Sequence, residues 1–272
     1  MEKTKIDWAE SSWNPVSGCL HKCQYCYARS MANRFGLAFA PSIGDPGFDG
    51  CKWDSIAGMD TMLELYSPFY KYGRMQPYPM AFYPTFHRYR LDEYKKKSGR
   101  IIFVCSMADL FGSWVPDQWI ADVMAACAAA PQHQYLFLTK NPSRLFQIEM
   151  KGNLLQSPNF WYGTSTTGEP HPYLFQSRAL YNAFFSIEPL LKPISHWDGA
   201  IESIRDKRIK WVIIGAETGN RKGKVIPEKP WIDDIVLECR TANIPIFMKE
   251  SLRVLMGSQF VQEWPEQMLK NK

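Results

Sequence analysis

The feature that most constrains the fold is a regular alternation of short apolar runs and helical stretches from residue 80 to residue 248. The runs are rich in Ile, Val, Phe and Tyr, which is typical of strands buried on both faces of a parallel sheet. They are Met80–Phe86, Ile101–Cys105, Tyr135–Leu138, Phe160–Gly163, Ala183–Ile187, Trp211–Ile214 and Ile244–Met248. Proline marks the start of three helices predicted between them, Asp117–Ala129, Ser143–Met150 and Trp231–Ala242. The pattern predicts an α/β fold, a parallel (β/α) barrel.

The strand count and the chain length indicate one domain. With the strand that leads into Cys19, the chain has about eight βα units, the number in a complete barrel. A length of 272 residues is ordinary for a single α/β barrel, so we expect one domain over residues 1–272.

One segment interrupts this regularity. A predicted helix, Tyr27–Phe35, ends at Gly36 and is followed by residues 37–83, which are rich in proline and aromatic residues. We expect a further helix within this insertion, from Asp60 to Lys71. Insertions of this length are often lids or binding elements, and the alternative is a subdomain that only packs over one end of the barrel.

Three cysteines lie close together early in the chain. Cys19, Cys23 and Cys26 have the spacing C-x3-C-x2-C, and Tyr25 directly precedes the third. Three thiolates can hold three irons of a cubane iron–sulfur cluster, which leaves the fourth iron without a protein ligand. Clusters that only carry electrons normally have four cysteine ligands. The spacing therefore predicts an iron that stays open to a small molecule, much as catalytic zinc sites keep an open position.

The cysteine segment resembles the cluster motif of the radical S-adenosylmethionine (radical SAM) superfamily, C-x3-C-x-aromatic-C, at Cys19, Cys23, Tyr25 and Cys26. The wider stretch from Ile6-Asp7-Trp8 through Trp13-Asn14-Pro15 to Arg29 also resembles the phage-associated three-cysteine-motif family. The superfamily resemblance implies a [4Fe–4S] cluster whose open iron binds SAM, and reductive cleavage of SAM to a 5′-deoxyadenosyl radical. It also implies a partial six-unit or full eight-unit barrel and an electron donor of the flavodoxin or ferredoxin type.

Two other interpretations of the cysteines remain. Cys19, His21, Cys23 and Cys26 could form a Cys3His zinc site, although structural zinc sites usually pair two knuckles and the sequence has no second C-x2-C or H-x3-H. A disulfide framework fits poorly with an odd count of seven cysteines and no export signal. The ligand rules favour the cluster.

Polar residues follow almost every predicted strand, at the edge where active sites of such barrels lie. SAM presents an ammonium, a carboxylate and a ribose diol, so we expect Glu188 and Glu217 to be acceptors and Ser106, Ser165 and Lys140 to be further polar contacts. Asp109 follows its strand in the same way, Tyr25 belongs to the matched motif, and Lys140 and the strand-end thiol of Cys105 are the predicted catalytic groups. The alternative is that Cys105 is a buried small apolar residue, as cysteine commonly is. The chain lacks a clear Gly-Gly-Glu segment after the second strand, where the superfamily often binds the SAM amine.

The composition restricts the classes of binding partner but does not identify one. A net charge of +5 is mildly basic and compatible with an anionic substrate. The N-terminus has no apolar signal-peptide core and no apolar run could span a bilayer, so we expect a cytoplasmic protein with no membrane partner. The expected substrate is a nucleic acid base or nucleotide, as in phage DNA modification. The alternatives are a small metabolite or peptide, or a non-catalytic nucleic-acid-binding protein stabilised by zinc or a cluster.

Overall fold

The secondary structure comes from a computed structural model that describes residues 4–36, 51–54, 62–168, 182–193, 200–219 and 221–269. In chain order the elements are β1 (Ser11–Trp13), β2 (Val16–Ser17), α1 (Tyr27–Phe35), β3 (Cys51–Asp54), β4 (Met62–Leu65), β5 (Tyr70–Lys71), β6 (Arg74–Met75), β7 (Thr85–His87), β8 (Ile101–Val104), α2 (Asp117–Ala128), β9 (Gln134–Thr139), α3 (Pro142–Met150), β10 (Phe160–Thr166), β11 (Asn182–Ile187), α4 (Ala200–Arg205), β12 (Trp211–Ile214), α5 (Lys229–Ala242), β13 (Ile246–Met248), α6 (Arg253–Met256) and α7 (Glu266–Leu269).

Within the described residues, seven strands form the large sheet, in the order β1-β8-β9-β10-β11-β12-β13. The pairs from β9 to β13 are parallel, and helices α2, α3, α4 and α5 lie between consecutive strands of the sequence. Six of the seven predicted apolar runs lie on strands of this sheet, which confirms the α/β fold. Among the described residues, β1 and β13 do not pair, so the sheet is open. The fold is therefore a partial β/α barrel, one of the two forms, partial and complete, that the sequence left open.

The core of the large sheet comes from every second residue of its strands, because side chains alternate between the two faces. Leu136, Trp161, Phe184 and Phe247 are buried in one apolar cluster. Gly163 makes room for this packing, since a Cβ there would lie 2.3 Å from the Phe184 ring. The same alternation, continued toward the carboxyl ends of the strands, leads from apolar core residues to polar ones.

A smaller four-stranded sheet has the order β2-β7-β4-β3, and β5 and β6 form a separate hairpin. The prediction that Met80–Phe86 is a barrel strand is wrong, because only Thr85–His87 is extended and it pairs with β2 and β4 in the small sheet. An apolar run indicates burial but does not tell which sheet a strand joins.

The predicted helix from Asp60 to Lys71 is also wrong. Met62–Leu65 is β4, Tyr70–Lys71 is β5, and Asp60 and Thr61 lie outside the described residues. Apolar residues three to four positions apart imitate a helical face here. The strand forms instead because successive residues Leu63, Glu64 and Leu65 are all buried. By contrast, the helix Tyr27–Phe35 and its end at Gly36 are confirmed, with the Gly36 amide donating to the Ala32 carbonyl at 2.7 Å.

The chain divides into two compact units. Unit 1 comprises the described residues of Met1–Ser11, Gly99–Phe103 and Gln132–Lys272, and unit 2 those of Ser12–Ser98 and Val104–Pro131. The single-domain organisation stays a prediction. In the part of the chain that the structure describes, no helix has the length and apolarity that a bilayer crossing requires.

Candidate metal centre

The three motif cysteines lie in unit 2, on the loop after β2 and at the start of α1. Cys26 is the N-cap of α1, and its Sγ accepts a hydrogen bond from the Arg29 amide at 3.4 Å. A helix N-terminus stabilises a thiolate, because its free amides and dipole favour negative charge. Cys19, Cys23 and Cys26 are free and partly exposed. The fold therefore covers each of the three residues only in part.

Without a metal, Cys19 is held as a thiol. Burial raises the pKa of its side chain to about 12, the His21 amide lowers it, and the charges of Asp109, Cys23 and Cys26 raise it further. A bound metal reverses this preference, because it pairs with the thiolate and displaces the proton. Iron binding at Cys19 would thus release a proton.

The segment 105–109, which we call the anchor turn, holds the cysteine loop from outside the motif. The Gly18 amide donates to the Met107 carbonyl at 2.9 Å. Asn14 Oδ1 accepts from the Met107 amide at 2.9 Å and from Ser106 Oγ at 3.1 Å. The Tyr27 hydroxyl donates to the Ser106 carbonyl at 3.0 Å. These contacts fix both ends of the motif, before Cys19 and after Cys26.

Gly18 must be glycine for this loop to approach its neighbours. Its φ is +86°, in the region that L side chains rarely adopt, and a Cβ there would lie 2.0 Å from the Tyr83 carbonyl oxygen. The residue directly before Cys19 is therefore set by sterics.

Inside the motif, His21 is bound by the same turn. Its Nε2 lies 2.7 Å from Asp109 Oδ2, and its ring meets Trp114 edge-on with the centroids 4.9 Å apart. Asp109 Oδ1 accepts from the Phe111 amide at 3.1 Å. Asp109 therefore positions the loop between Cys19 and Cys23.

In the part of the chain that the structure describes, no group of three or more His, Cys, Asp and Glu side chains is placed to hold a single metal ion. A zinc site needs four ligands converging on one atom. In a cubane cluster each thiolate binds a different iron, so the three sulfurs do not converge on a single atom. The zinc and the cluster interpretations of these cysteines therefore both stay predictions.

Four predicted contacts lie in unit 1, at the carboxyl ends of neighbouring strands. Lys140 Nζ donates to Ser165 Oγ at 2.8 Å. Glu188, just beyond β11, forms an ion pair with Lys249, just beyond β13. Between them Gly215 follows β12, and a Cβ there would lie 2.9 Å from the Lys249 side chain and 3.2 Å from that of Glu188. The residues after β11 and β13 thus form an ion pair, and the glycine after β12 leaves room for both side chains.

Glu217 is committed to a different partner. Arg221 donates to both of its carboxylate oxygens, at 2.5 and 2.7 Å, and this hydrogen bonding holds the pKa of Glu217 below its ordinary value.

On β11, the buried Ser186 hydroxyl has no hydrogen-bond partner within the described structure. It is the register partner of Ser165 and so faces the same side of the sheet.

The remaining predicted residues lie in unit 2 with the cysteines. Cys105 is buried, and burial raises the pKa of its thiol to about 12, as for a small core residue. Ser106 bonds Asn14, Asp109 bonds His21, and Tyr25 is partly exposed in the loop. The roles predicted for these side chains toward SAM stay predictions.

Sequence reasoning missed two features of the site. It named His21 only as a zinc ligand, and it gave Asn14 no individual role. A contact between residues 88 positions apart leaves no spacing signal in the sequence. Asn14 had one signal, its position in the Trp13-Asn14-Pro15 stretch before the motif.

The chain matches one protein-family model and is similar to several solved structures. The family model described as "Protein of unknown function (DUF5131)" matches residues 3–254. No curated protein matches the chain. Among solved structures, the chain is similar to spore photoproduct lyase complexed with dinucleoside spore photoproduct, with a TM-score of 0.47 and 9% identity over 91% of this chain and 79% of that one. A cysteine mutant of the same lyase gives a TM-score of 0.46 at 9% identity over the same shares.

Proposed function

We propose that this chain, which belongs to the family described as "Protein of unknown function (DUF5131)", is a radical SAM enzyme. The observation that carries the proposal is the cysteine motif, Cys19, Cys23 and Cys26, placed on a loop and helix N-cap that follow the first strand of a partial β/α barrel. The loop is fixed at both ends by the anchor turn, so the motif is part of an ordered framework.

The donor set fits a [4Fe–4S] cluster with one open iron. Three free thiols of one segment are partly exposed, and one lies at a helix N-terminus that favours its thiolate. When bound and reduced, such a cluster supplies the electron that cleaves SAM and yields a 5′-deoxyadenosyl radical. Cys19, Cys23 and Cys26 would hold it, and Asn14 and Asp109 would keep their loop in place.

The SAM contacts are proposed from residue chemistry. Glu188 and Glu217 are acceptors for the ammonium or the ribose diol, and Lys140, Ser165 and Ser106 are donors for the carboxylate or polar contacts of the ribose. Glu188 is the better candidate, because Lys249 pairs with one of its carboxylate oxygens, whereas Arg221 donates to both carboxylate oxygens of Glu217. Charge-assisted hydrogen bonds of this kind are the strong ones in ligand recognition.

The proposed substrate is a nucleic acid base or nucleotide, and the proposed electron donor is a reduced flavodoxin or ferredoxin. The resemblance to the phage-associated family and the net charge of +5 support the substrate class. A base within a duplex would have to be flipped out to reach the reacting centre. A small metabolite or peptide is the second candidate. Cytoplasmic location stays a prediction.

Reconstitution tests the metal centre directly. Purified protein is incubated without oxygen with iron and sulfide, and metal content and electron paramagnetic resonance are compared with a Cys19, Cys23, Cys26→Ala variant. We expect about four irons and four sulfides per chain in the wild type, the composition of a cubane cluster, and none in the variant. If the protein instead retains stoichiometric zinc through reconstitution and takes up no iron, the radical SAM proposal is refuted. The result would favour the alternative of a zinc-stabilised nucleic-acid-binding protein.

A further inference from the structure

The hairpin β5–β6, here called the tyrosine hairpin (residues 70–75), has at its tip a residue type that the backbone of the turn does not favour. Tyr72 and Gly73 both have positive φ, +51° and +71°, as in a type I′ turn. Such turns favour Asn-Gly, and a bulky residue at positive φ is an outlier. A large aromatic residue thus occupies a position where asparagine would suit the backbone better.

Packing does not account for the aromatic ring either. Tyr72 is 92% exposed, and Tyr70 and Met75 beside it are 55% and 46% exposed. The base of the hairpin, by contrast, is anchored: the Gln76 amide donates to the Phe69 carbonyl at 2.8 Å, and Phe69 is buried with Leu63, Leu65 and Met80. A fixed base therefore presents an apolar tip to solvent.

The charged residues of the hairpin and of its flanking sequence have one sign. Residues 66–91 contain no Asp or Glu, and Lys71 and Arg74 flank the turn. The Lys71 ammonium lies 5.6 Å from the centroid of the Tyr72 ring. Exposed aromatic rings beside lysine and arginine are what single-stranded nucleic acids require, because bases stack on the rings and phosphates pair with the cations.

We propose that the tyrosine hairpin is a nucleic-acid contact in which Tyr72 stacks on an unpaired base while Lys71 and Arg74 bind the adjoining phosphates. This inference deepens the proposed function, since it assigns the substrate class to a polynucleotide rather than a metabolite. A ring at a turn is well suited to the space between neighbouring bases, and strain at a ligand-binding position is a familiar cost. The hairpin belongs to the insertion for which the sequence left two interpretations, a lid or binding element and a subdomain that only packs over one end of the barrel.

Binding is measured by fluorescence anisotropy on the reconstituted protein, with a labelled single-stranded DNA longer than the roughly 4–16 nucleotides that such sites cover. Duplex DNA and single-stranded RNA of the same sequence are parallel probes. The central variant is Tyr72→Asn, which removes the ring but installs the Asn-Gly pair that the turn prefers. We expect about tenfold weaker binding, the loss of one stacked base. Tyr72→Phe keeps the ring and should bind like the wild type.

The charge arm uses Lys71→Gln with Arg74→Gln. Losing two phosphate contacts should lower the slope of log affinity against log salt by about 1.4 for a single strand. Matched controls are Met150→Ala, another exposed apolar side chain, and Lys95→Gln, another exposed lysine. Both should leave the affinity and the slope unchanged.

The proposal is overturned if the wild type shows no salt-dependent binding to any of the three probes, or if Tyr72→Asn binds as tightly as Tyr72→Phe. Equal losses in the control variants would overturn it as well. Iron content is recorded for every sample, and binding is repeated on protein without a cluster. A protein that binds nucleic acid but takes up no iron would refute the radical SAM proposal and leave the hairpin assignment intact.

Discussion

At the residue scale, the structure shows a contact between His21 and Asp109 that the sequence did not predict. It joins the loop between Cys19 and Cys23 to the anchor turn, over a distance of 2.7 Å between His21 Nε2 and Asp109 Oδ2. Lys22 in the same loop has a φ of +58°, which is unfavourable for a side chain of its size. The loop therefore needs an external restraint.

Asp109→Ala should weaken cluster retention because it releases that restraint. Groups that orient metal ligands typically contribute about 10–100-fold to metal affinity, and we expect cluster loss to a chelator to speed up by about tenfold. Asp109→Asn keeps an acceptor for His21 and should resemble the wild type. Loss is followed through the visible absorption of the cluster, with Asp122→Ala as a control in the same unit.

A double-mutant cycle separates this role from a general loss of stability. If His21 and Asp109 act through one contact, adding His21→Ala to Asp109→Ala should cause no further acceleration. Additive effects, or equal acceleration in Asp122→Ala, would show that the contact does not position the loop.

A second residue-scale prediction concerns Glu64 in β4. Glu64 is 5% exposed and accepts hydrogen bonds from Arg88 and from the Trp119 indole, at 2.7 and 2.5 Å. Burial raises the pKa of Glu64, but the bonds from Arg88, Trp119 and Tyr66 outweigh burial and lower it below 4.5. Glu64→Gln leaves Arg88 without its main partner and should cost about 3 kcal/mol of unfolding free energy in urea titrations.

The sign of the pH effect follows from the lowered pKa of Glu64. Its carboxylate stabilises the folded state above the ordinary pKa of 4.5, and this contribution is lost as the pH falls through the lowered folded value. The stability difference between wild type and Glu64→Gln should therefore shrink in acid. A difference that is constant from neutral pH to pH 3 would contradict this assignment.

At the element scale, the strands of the large sheet were predictable because burial on both faces leaves continuous apolar runs. β12 was predicted at its observed limits, Trp211–Ile214. The small sheet was not predictable in this way. Glu64 is a buried carboxylate inside a strand, and its stabilising partner Arg88 is 24 positions away, so no local pattern marks it.

The strand ends carry the third prediction. Glu188, which follows β11, forms an ion pair with Lys249, which follows β13. Glu188 is the proposed acceptor for the SAM ammonium. Glu188→Gln should weaken SAM binding to the reconstituted protein by about tenfold, the loss of one charge-assisted hydrogen bond. Calorimetric titration with SAM measures it, and Glu202→Gln on α4 is the control. An unchanged dissociation constant for Glu188→Gln would remove this residue from the SAM contacts.

At the scale of the whole molecule, the sequence identified the cysteine motif and the fold class but not the complete arrangement of strands. The motif is visible in the sequence because its three cysteines lie close together there, and their role as cluster ligands is proposed. The seven-strand count was not predictable, because Met80–Phe86 has the composition of a barrel strand and pairs elsewhere. The support of the cysteine loop depends on contacts between distant residues, which only the fold shows.

The most direct test of the central claim is the reductive cleavage of SAM. Reconstituted wild-type protein and the Cys19, Cys23, Cys26→Ala variant are each incubated without oxygen with SAM and dithionite, and 5′-deoxyadenosine is quantified. We expect 5′-deoxyadenosine from the wild type and none from the variant, because the proposed cluster would deliver the electron and would be held by the three thiolates. Equal amounts from both proteins, or a wild type that binds zinc and forms no cluster, would contradict the account.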